Sequence, residues 1–117
     1  MRPGELLQWQ WEGYPRYHRS WANLLLHAFA IPLFAIGNLT ALFALPALSL
    51  SGFSAGLLAM GFSVLLQGRG HRLEPVPPEP FTGAANFVGR IFLEQWVNFP
   101  RFVLSGGWYR NWRGQEP

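Results

Sequence analysis

Residues 20–68 read SWANLLLHAFAIPLFAIGNLTALFALPALSLSGFSAGLLAMGFSVLLQG and contain no Asp, Glu, Lys or Arg. A membrane-crossing helix needs about 20 mostly apolar residues. An uncharged run of 49 residues is too long for one such helix and fits two joined by a turn. Pro46, Ser49, Ser51 and Gly52 punctuate the stretch LPALSLSGF at 45–53, which places the turn there. The first span is expected at about Trp21–Leu45. The second is expected at about Phe53–Gln67, reaching full length only if it begins near Leu48. Ser20 is a candidate N-cap, and Pro32 is expected to kink the first span. A buried hairpin inside a soluble helical bundle is the competing expectation, and it fits less well because soluble helices keep a polar face.

Working outward, a two-span hairpin returns the chain to the side it left. Arg2, Arg16 and Arg19 precede it, and Arg69 and Arg72 follow it at once. By the positive-inside rule both termini are expected in the cytoplasm, with Trp9, Trp11, Tyr14, Tyr17 and Trp21 as interfacial aromatics. No short apolar core with a small-residue cleavage site opens the chain, so a signal peptide is not expected. Beyond the hairpin, the proline-rich stretch at 74–80 cannot be helix or central strand and reads as a stiff connector. After it, Phe87 and Ile91, then Val88, Phe92 and Trp96, recur at helical spacing, while Arg90, Glu94 and Asn98 share another face. Pro100 is expected to break or kink this segment, and Gly106-Gly107 to end it. The fold class is therefore all-α: a helical integral membrane bundle with a two-span hairpin and C-terminal amphipathic or membrane-embedded helices, in one domain over residues 1–117.

Composition narrows the function. Only 13% of residues are charged, against about 25% in a typical soluble domain. Nine arginines against six glutamates give +3, too sparse for the basic stripe of a nucleic-acid binder. Cysteine and aspartate are absent, so thiolate chemistry and Cys-bound zinc are excluded, and any carboxylate must come from Glu5, Glu12, Glu74, Glu79, Glu94 or Glu116. No HExxH pair, serine elbow or nucleotide loop is present; Gly68 and Gly70 follow no strand.

What remains is three histidines. His18 stands before the first span and His71 just after the second, so the hairpin returns them to one membrane face. His27 lies about 10 Å below Ser20 at 1.5 Å per residue, on the same helix face as Asn23. On one continuous helix His18 and His27 would differ by ~13.5 Å of rise and point to roughly opposite faces, so a shared site requires a break between them, for which Ser20 is the candidate. Neutral imidazoles suit Fe, Zn, Cu or Ni, and two or three of them with a carboxylate and open positions suit non-haem Fe(II) and oxygen chemistry. Glu74 is the carboxylate nearest in sequence to His71. A bland alternative is that each imidazole only satisfies a packing neighbour or a lipid head group, although ionisable groups inside membranes are functional candidates by default.

The residues that carry this pattern also resemble a known family. His18, Asn23 and His27 in the spacing H-x4-N-x3-H, followed by Ile31-Pro32, and then QGRGHRLEPVPPEPF at 67–81, are similar to the two motif blocks of the 2-hydroxy-fatty-acid dioxygenases, small membrane enzymes of fatty acid α-oxidation. The resemblance covers about residues 14–82. It implies an all-helical membrane protein that binds Fe(II) through His18, His27 and His71 with Asn23 and Glu74 in support, and that uses O2 to cleave C1–C2 of a 2-hydroxy fatty acid. Glu74 follows His71 by three residues where the family pattern has four. Arg19, Arg69 and Arg72 are candidates for holding the substrate carboxylate through charge-assisted contacts, or for anchoring the hairpin to anionic lipid. The expected partners are a lipid-like acid, O2 and membrane lipids, with no nucleic acid. The rivals are a non-enzymatic membrane scaffold or partner subunit, and a zinc-dependent lipid hydrolase.

Overall fold

A computed structural model describes residues 2–115. It is all-helical, with no strand among the described residues. The elements are α1 (Pro3–Tyr17), α2 (Trp21–Ala44), α3 (Leu50–His71), α4 (Ala84–Leu93), a π-helical turn (Glu94–Asn98), α5 (Phe99–Leu104) and α6 (Gly107–Arg113).

α2 and α3 form the expected hairpin and pack mainly on each other. Their approach is set by small residues. A Cβ on Gly37 would meet the Gly56 carbonyl oxygen at 2.7 Å, and one on Gly56 would meet the Ala41 nitrogen at 2.6 Å. Backbones can come this close only where side chains are absent. Pro32 is accommodated within α2, which runs unbroken from Trp21 to Ala44. α3 is longer than the sequence suggests at both ends. Ser49 caps it by accepting from the Gly52 N–H at 3.0 Å, and Gly68 and Gly70 stay helical, carrying the helix to His71. Gly70 is also where α2 comes nearest, since a Cβ there would clash with the Asn23 side chain.

The connector at 74–80 is non-helical as expected. The segment after it departs from expectation at Pro100. That residue has no N–H to return to the Trp96 carbonyl. Instead of breaking, the helix widens just before it: the Phe99 N–H donates to the Glu94 carbonyl, five residues back, in the π register. α5 then begins with the proline in its first turn. Gly106, left-handed at φ 84°, ends α5 and starts α6.

α1 and α6 are additional helices that the sequence reading did not delimit. They meet α2 and α5 in a core of Tyr14, Leu24, Ile31, Phe99 and Phe102, with Trp11, Trp108 and Trp112 against it. Beside this apolar core the interior also holds many polar groups, and the surface many apolar ones. Asn23, His27, Ser63, Gln67, Gln95 and Asn98 are buried, while Phe43, Leu58, Leu65 and Leu104 are exposed.

Candidate metal centre

The chain leaves helical geometry between Tyr17 and Trp21, which supplies the break that a shared site demands. The three residues of this junction are held by groups from distant elements. Asn111 of α6 donates to the Pro15 and His18 carbonyls at 2.9 and 2.8 Å. Glu74 accepts from the Arg19 N–H at 2.8 Å and the Ser20 N–H at 3.0 Å. Ser20 occupies the N-cap position of α2, but its side chain makes no capping bond; the Glu74 carboxylate serves there, with the charge preferred at a helix N-terminus. Glu74 also accepts from Asn23 Nδ2 at 2.7 Å. Asn23 and Glu74 therefore form a brace that fixes the start of α2 against the end of α3.

With the junction fixed, His18, His27 and His71 turn toward one another. Their ring centroids are 4.9 Å (18–27), 4.8 Å (18–71) and 4.9 Å (27–71) apart, and the planes are nearly perpendicular, at 89°, 79° and 85°. A carboxylate completes the group. It is Glu94, at the first position of the π turn, and one potential ligand atom from each of the four residues lies within 4.8 Å of the others. This buried cluster of His18, His27, His71 and Glu94 could hold a metal ion.

The hydrogen bonding supports a cation at its centre. His18 Nδ1 lies 2.8 Å from the Tyr14 carbonyl, and His27 Nδ1 lies 3.1 Å from the Asn23 carbonyl. A carbonyl only accepts, so each Nδ1 carries the hydrogen. Each Nε2 is thereby turned toward Glu94 Oε2, at 3.1 and 3.4 Å. A neutral imidazole presents a lone pair in that direction, against a carboxylate oxygen; the contact is favourable only with a positive charge between or upon them. His27 Nε2 and His71 Nδ1 are buried without a hydrogen-bond partner, and buried polar atoms are rarely left so. Metal-ligating histidines typically donate their other ring N–H to a carbonyl or carboxylate in this way, which fixes the ring and turns the free nitrogen inward.

Around this centre, Tyr14 donates to Glu94 Oε2 at 2.7 Å and stacks on the His18 ring at 3.7 Å and 7°. Burial, then the charge of Glu94 and its hydrogen bond, raise the Tyr14 phenol well above its ordinary value, so it stays a donor. Burial by itself would raise the Glu94 carboxyl, but the His18 and His27 imidazoles against it, where they carry positive charge, outweigh burial and hold the group well below the usual carboxylate range. Phe99 lies 6.3 Å from His27, and Phe102 lies 6.3 Å from His18, forming an apolar floor. Gln67 and Gln95 exchange reciprocal amide hydrogen bonds at 2.9 Å, locking α3 to the π turn that bears Glu94.

A cavity of about 480 Å³ opens against His18, His71 and Glu94, within the size range of small-molecule sites. Val64, Phe81, Phe87 and Ile91 give it apolar walls, and Arg16 and Arg90 are the cations on it. Arg19, Arg69 and Arg72 are exposed and do not line it. Of the residues singled out in the sequence, the structure thus brings together the three histidines, sets Asn23 and Glu74 beside them as a brace, and leaves those three arginines outside. Glu94, placed by its spacing on a polar face with Arg90 and Asn98, is the carboxylate that joins them. Its one local signal is its setting in FLEQWVNF, an acid flanked by bulky apolar residues. No family model matches this chain, and no curated protein or solved structure matches it either.

Proposed function

We propose that this chain is a membrane-embedded, Fe(II)-dependent oxygenase that cleaves the C1–C2 bond of 2-hydroxy fatty acids. The observation that carries the proposal is the convergence of three imidazoles and one carboxylate against an apolar-walled cavity, since nitrogen–oxygen donor sets with open positions suit non-haem Fe(II). The motif blocks at 14–82 supply the substrate class. Membrane placement is supported by α2 and α3, both long and apolar enough to cross a bilayer. Only 39% and 17% of their most apolar windows are buried, unlike the core helices of a soluble protein. The arginines flanking the hairpin favour a cytoplasmic location for both ends.

Iron(II), when bound, supplies the one-electron chemistry that lets O2 react with a closed-shell organic acid. The overall reaction balances: a 2-hydroxy acid and one O2 give an acid one carbon shorter, CO2 and water. The four electrons taken up by O2 come from C2 and C1, and the C1–C2 bond breaks. The chain's own residues have definable tasks. The Tyr14 and Asn23 carbonyls orient His18 and His27, the Tyr14 hydroxyl holds Glu94 in its ionised form, Phe99 and Phe102 shield the imidazoles, and the cavity walls take up alkyl chain.

The test is metal analysis and oxygen uptake on the detergent-purified protein. Near-stoichiometric iron, O2 consumption with 2-hydroxypalmitate, loss of both in His27→Ala, and recovery of chelated protein by Fe(II) are expected. Iron-free protein of undiminished stability would favour the scaffold reading, and tightly bound zinc without oxygen uptake would favour a hydrolase; either result overturns the proposal.

A further inference from the structure

Arg90 lies four residues before Glu94 on the same helical run, so the two side chains share a face about one turn, ~6 Å, apart. It lines the cavity that reaches the metal cluster and is half-buried. No carboxylate lies within ion-pair distance of it among the described residues; the ion pairs found there are Arg2–Glu5 and the contacts of His18 and His27 with Glu94. Its present partners are neutral: the Pro80 and Glu79 carbonyls at 3.2 and 3.0 Å, and Asn86 Oδ1 at 3.5 Å. These leave donor capacity on the guanidinium fork.

Its orientation is nevertheless fixed. The guanidinium stands 4.2 Å from the Phe81 ring centroid and 5.1 Å from that of Trp9, and arginine stacks well on aromatic faces. These contacts hold the group in place, and its unspent N–H donors are open to an incoming anion. Glu12, Glu79 and Glu94 also line the cavity, but none of their carboxylates is in contact with the Arg90 guanidinium. A partly desolvated guanidinium with no ion-pair partner, beside the apolar walls of Val64, Phe81, Phe87 and Ile91, matches an amphipathic acid whose carboxylate accepts two parallel N–H bonds. Arg16, the other cation on the cavity, is exposed and stacks on Tyr17 while donating to its hydroxyl at 2.8 Å.

Resting on the oxygenase reading for the identity of the acid, we propose that Arg90 is the residue that selects a carboxylate in this cavity, docking the acid one helical turn from the metal cluster. The role assigned in sequence to Arg19, Arg69 or Arg72 passes to a residue of the C-terminal segment.

The test is equilibrium binding of 2-hydroxypalmitate and its methyl ester to metal-loaded wild type, Arg90→Gln, Arg90→Lys and Arg16→Gln, with metal content measured on each. Wild type should bind the acid at least tenfold more tightly than the ester. Arg90→Gln should lose most of that ratio by weakening acid binding, with ester binding and metal stoichiometry unchanged, while Arg16→Gln should keep it. Equal binding of acid and ester by wild type, or an unchanged ratio in Arg90→Gln, overturns the assignment; the latter would mean that the metal alone selects the acid. Should Arg90→Gln not fold, Arg90→Lys decides: losing the fork should weaken acid binding about three- to tenfold and leave the ester alone, and an equal effect on both ligands overturns the proposal. Binding is read without turnover, so absent oxygen uptake in wild type counts against the oxygenase reading and leaves this measurement intact.

Discussion

Tyr14 touches the His18–His27–His71–Glu94 cluster in two ways: its hydroxyl donates to Glu94 at 2.7 Å, and its ring lies flat on His18. Tyr14→Phe removes the first and keeps the second. Glu94 should then hold its carboxylate less firmly, and metal affinity should fall about 10-fold, the lower end of the effect of losing a second-shell partner, with little change in thermal stability. Titration with Fe(II) or a Co(II) surrogate reads the affinity; an unchanged constant would mean that Glu94 needs no such support. Glu74 offers the opposite case. Its carboxylate serves the Arg19 and Ser20 N–H groups and Asn23 Nδ2, so Glu74→Ala strands buried donors and should cost about 1–3 kcal/mol. The metal-loaded variant should still reach full stoichiometry, and a loss of metal at full stability would instead make Glu74 a ligand. Proximity to His71 in sequence favours Glu74 as the supporting carboxylate, and space favours Glu94, 20 positions further on. The histidines were legible because there are only three and the hairpin dictates their depth. Glu94 was not, because its inward direction depends on helices that the uncharged run does not define.

At the level of helices, the π turn and the hairpin crossing answer to different residues. The π turn carries Glu94, Gln95 and Asn98, all three of them buried, and such bulges recur at functional sites. Pro100 is the sequence mark of it, readable only as a disruption. The spacing of Arg90, Glu94 and Asn98 puts them on one face, but spacing does not say which way that face turns. In this molecule Asn98 is fully buried, donating to Gln10 at 2.8 Å, and Val88 and Trp96 face out. α1 was hidden because its aromatics read equally well as an interfacial belt. The crossing of α2 and α3 makes a sharper prediction. Gly37→Ala and Gly56→Ala each drive a methyl into opposing backbone and should each destabilise by about 1–3 kcal/mol. Gly61→Ala, with open space where its Cβ would stand, should be neutral or stabilising by up to ~1 kcal/mol through helix propensity. Thermal unfolding of the three detergent-solubilised variants checks this, and equal melting points would mean that the close crossing contributes nothing.

For the molecule as a whole, the informative asymmetry is between interior and surface. Amides, imidazoles and a carboxylate fill the interior at the metal-centre end, and leucines and phenylalanines cover the hairpin outside. In water that arrangement leaves a large apolar area solvated, each Å² costing about 25 cal/mol. In lipid the same surface costs nothing, and the interior amides pair with one another, as Gln67 and Gln95 do. Two exposed leucines separate these environments. Leu58, midway along α3, is 74% exposed, and Leu73, just past its end beside Arg72, is 54% exposed. A soluble protein should accept Arg at either position within about 0.5 kcal/mol. A bilayer would distinguish them: Leu58→Arg would put a charge near the hydrocarbon centre at about 2.5–3.5 kcal/mol, while Leu73→Arg would add to the basic margin beside Arg69 and Arg72. Leu58→Arg should therefore deplete the protein from alkaline-washed membranes, and Leu73→Arg should leave it there. Equal recovery of both variants from a detergent-free supernatant would refute the embedded hairpin while leaving the His18–His27–His71–Glu94 centre as the functional site of a soluble bundle.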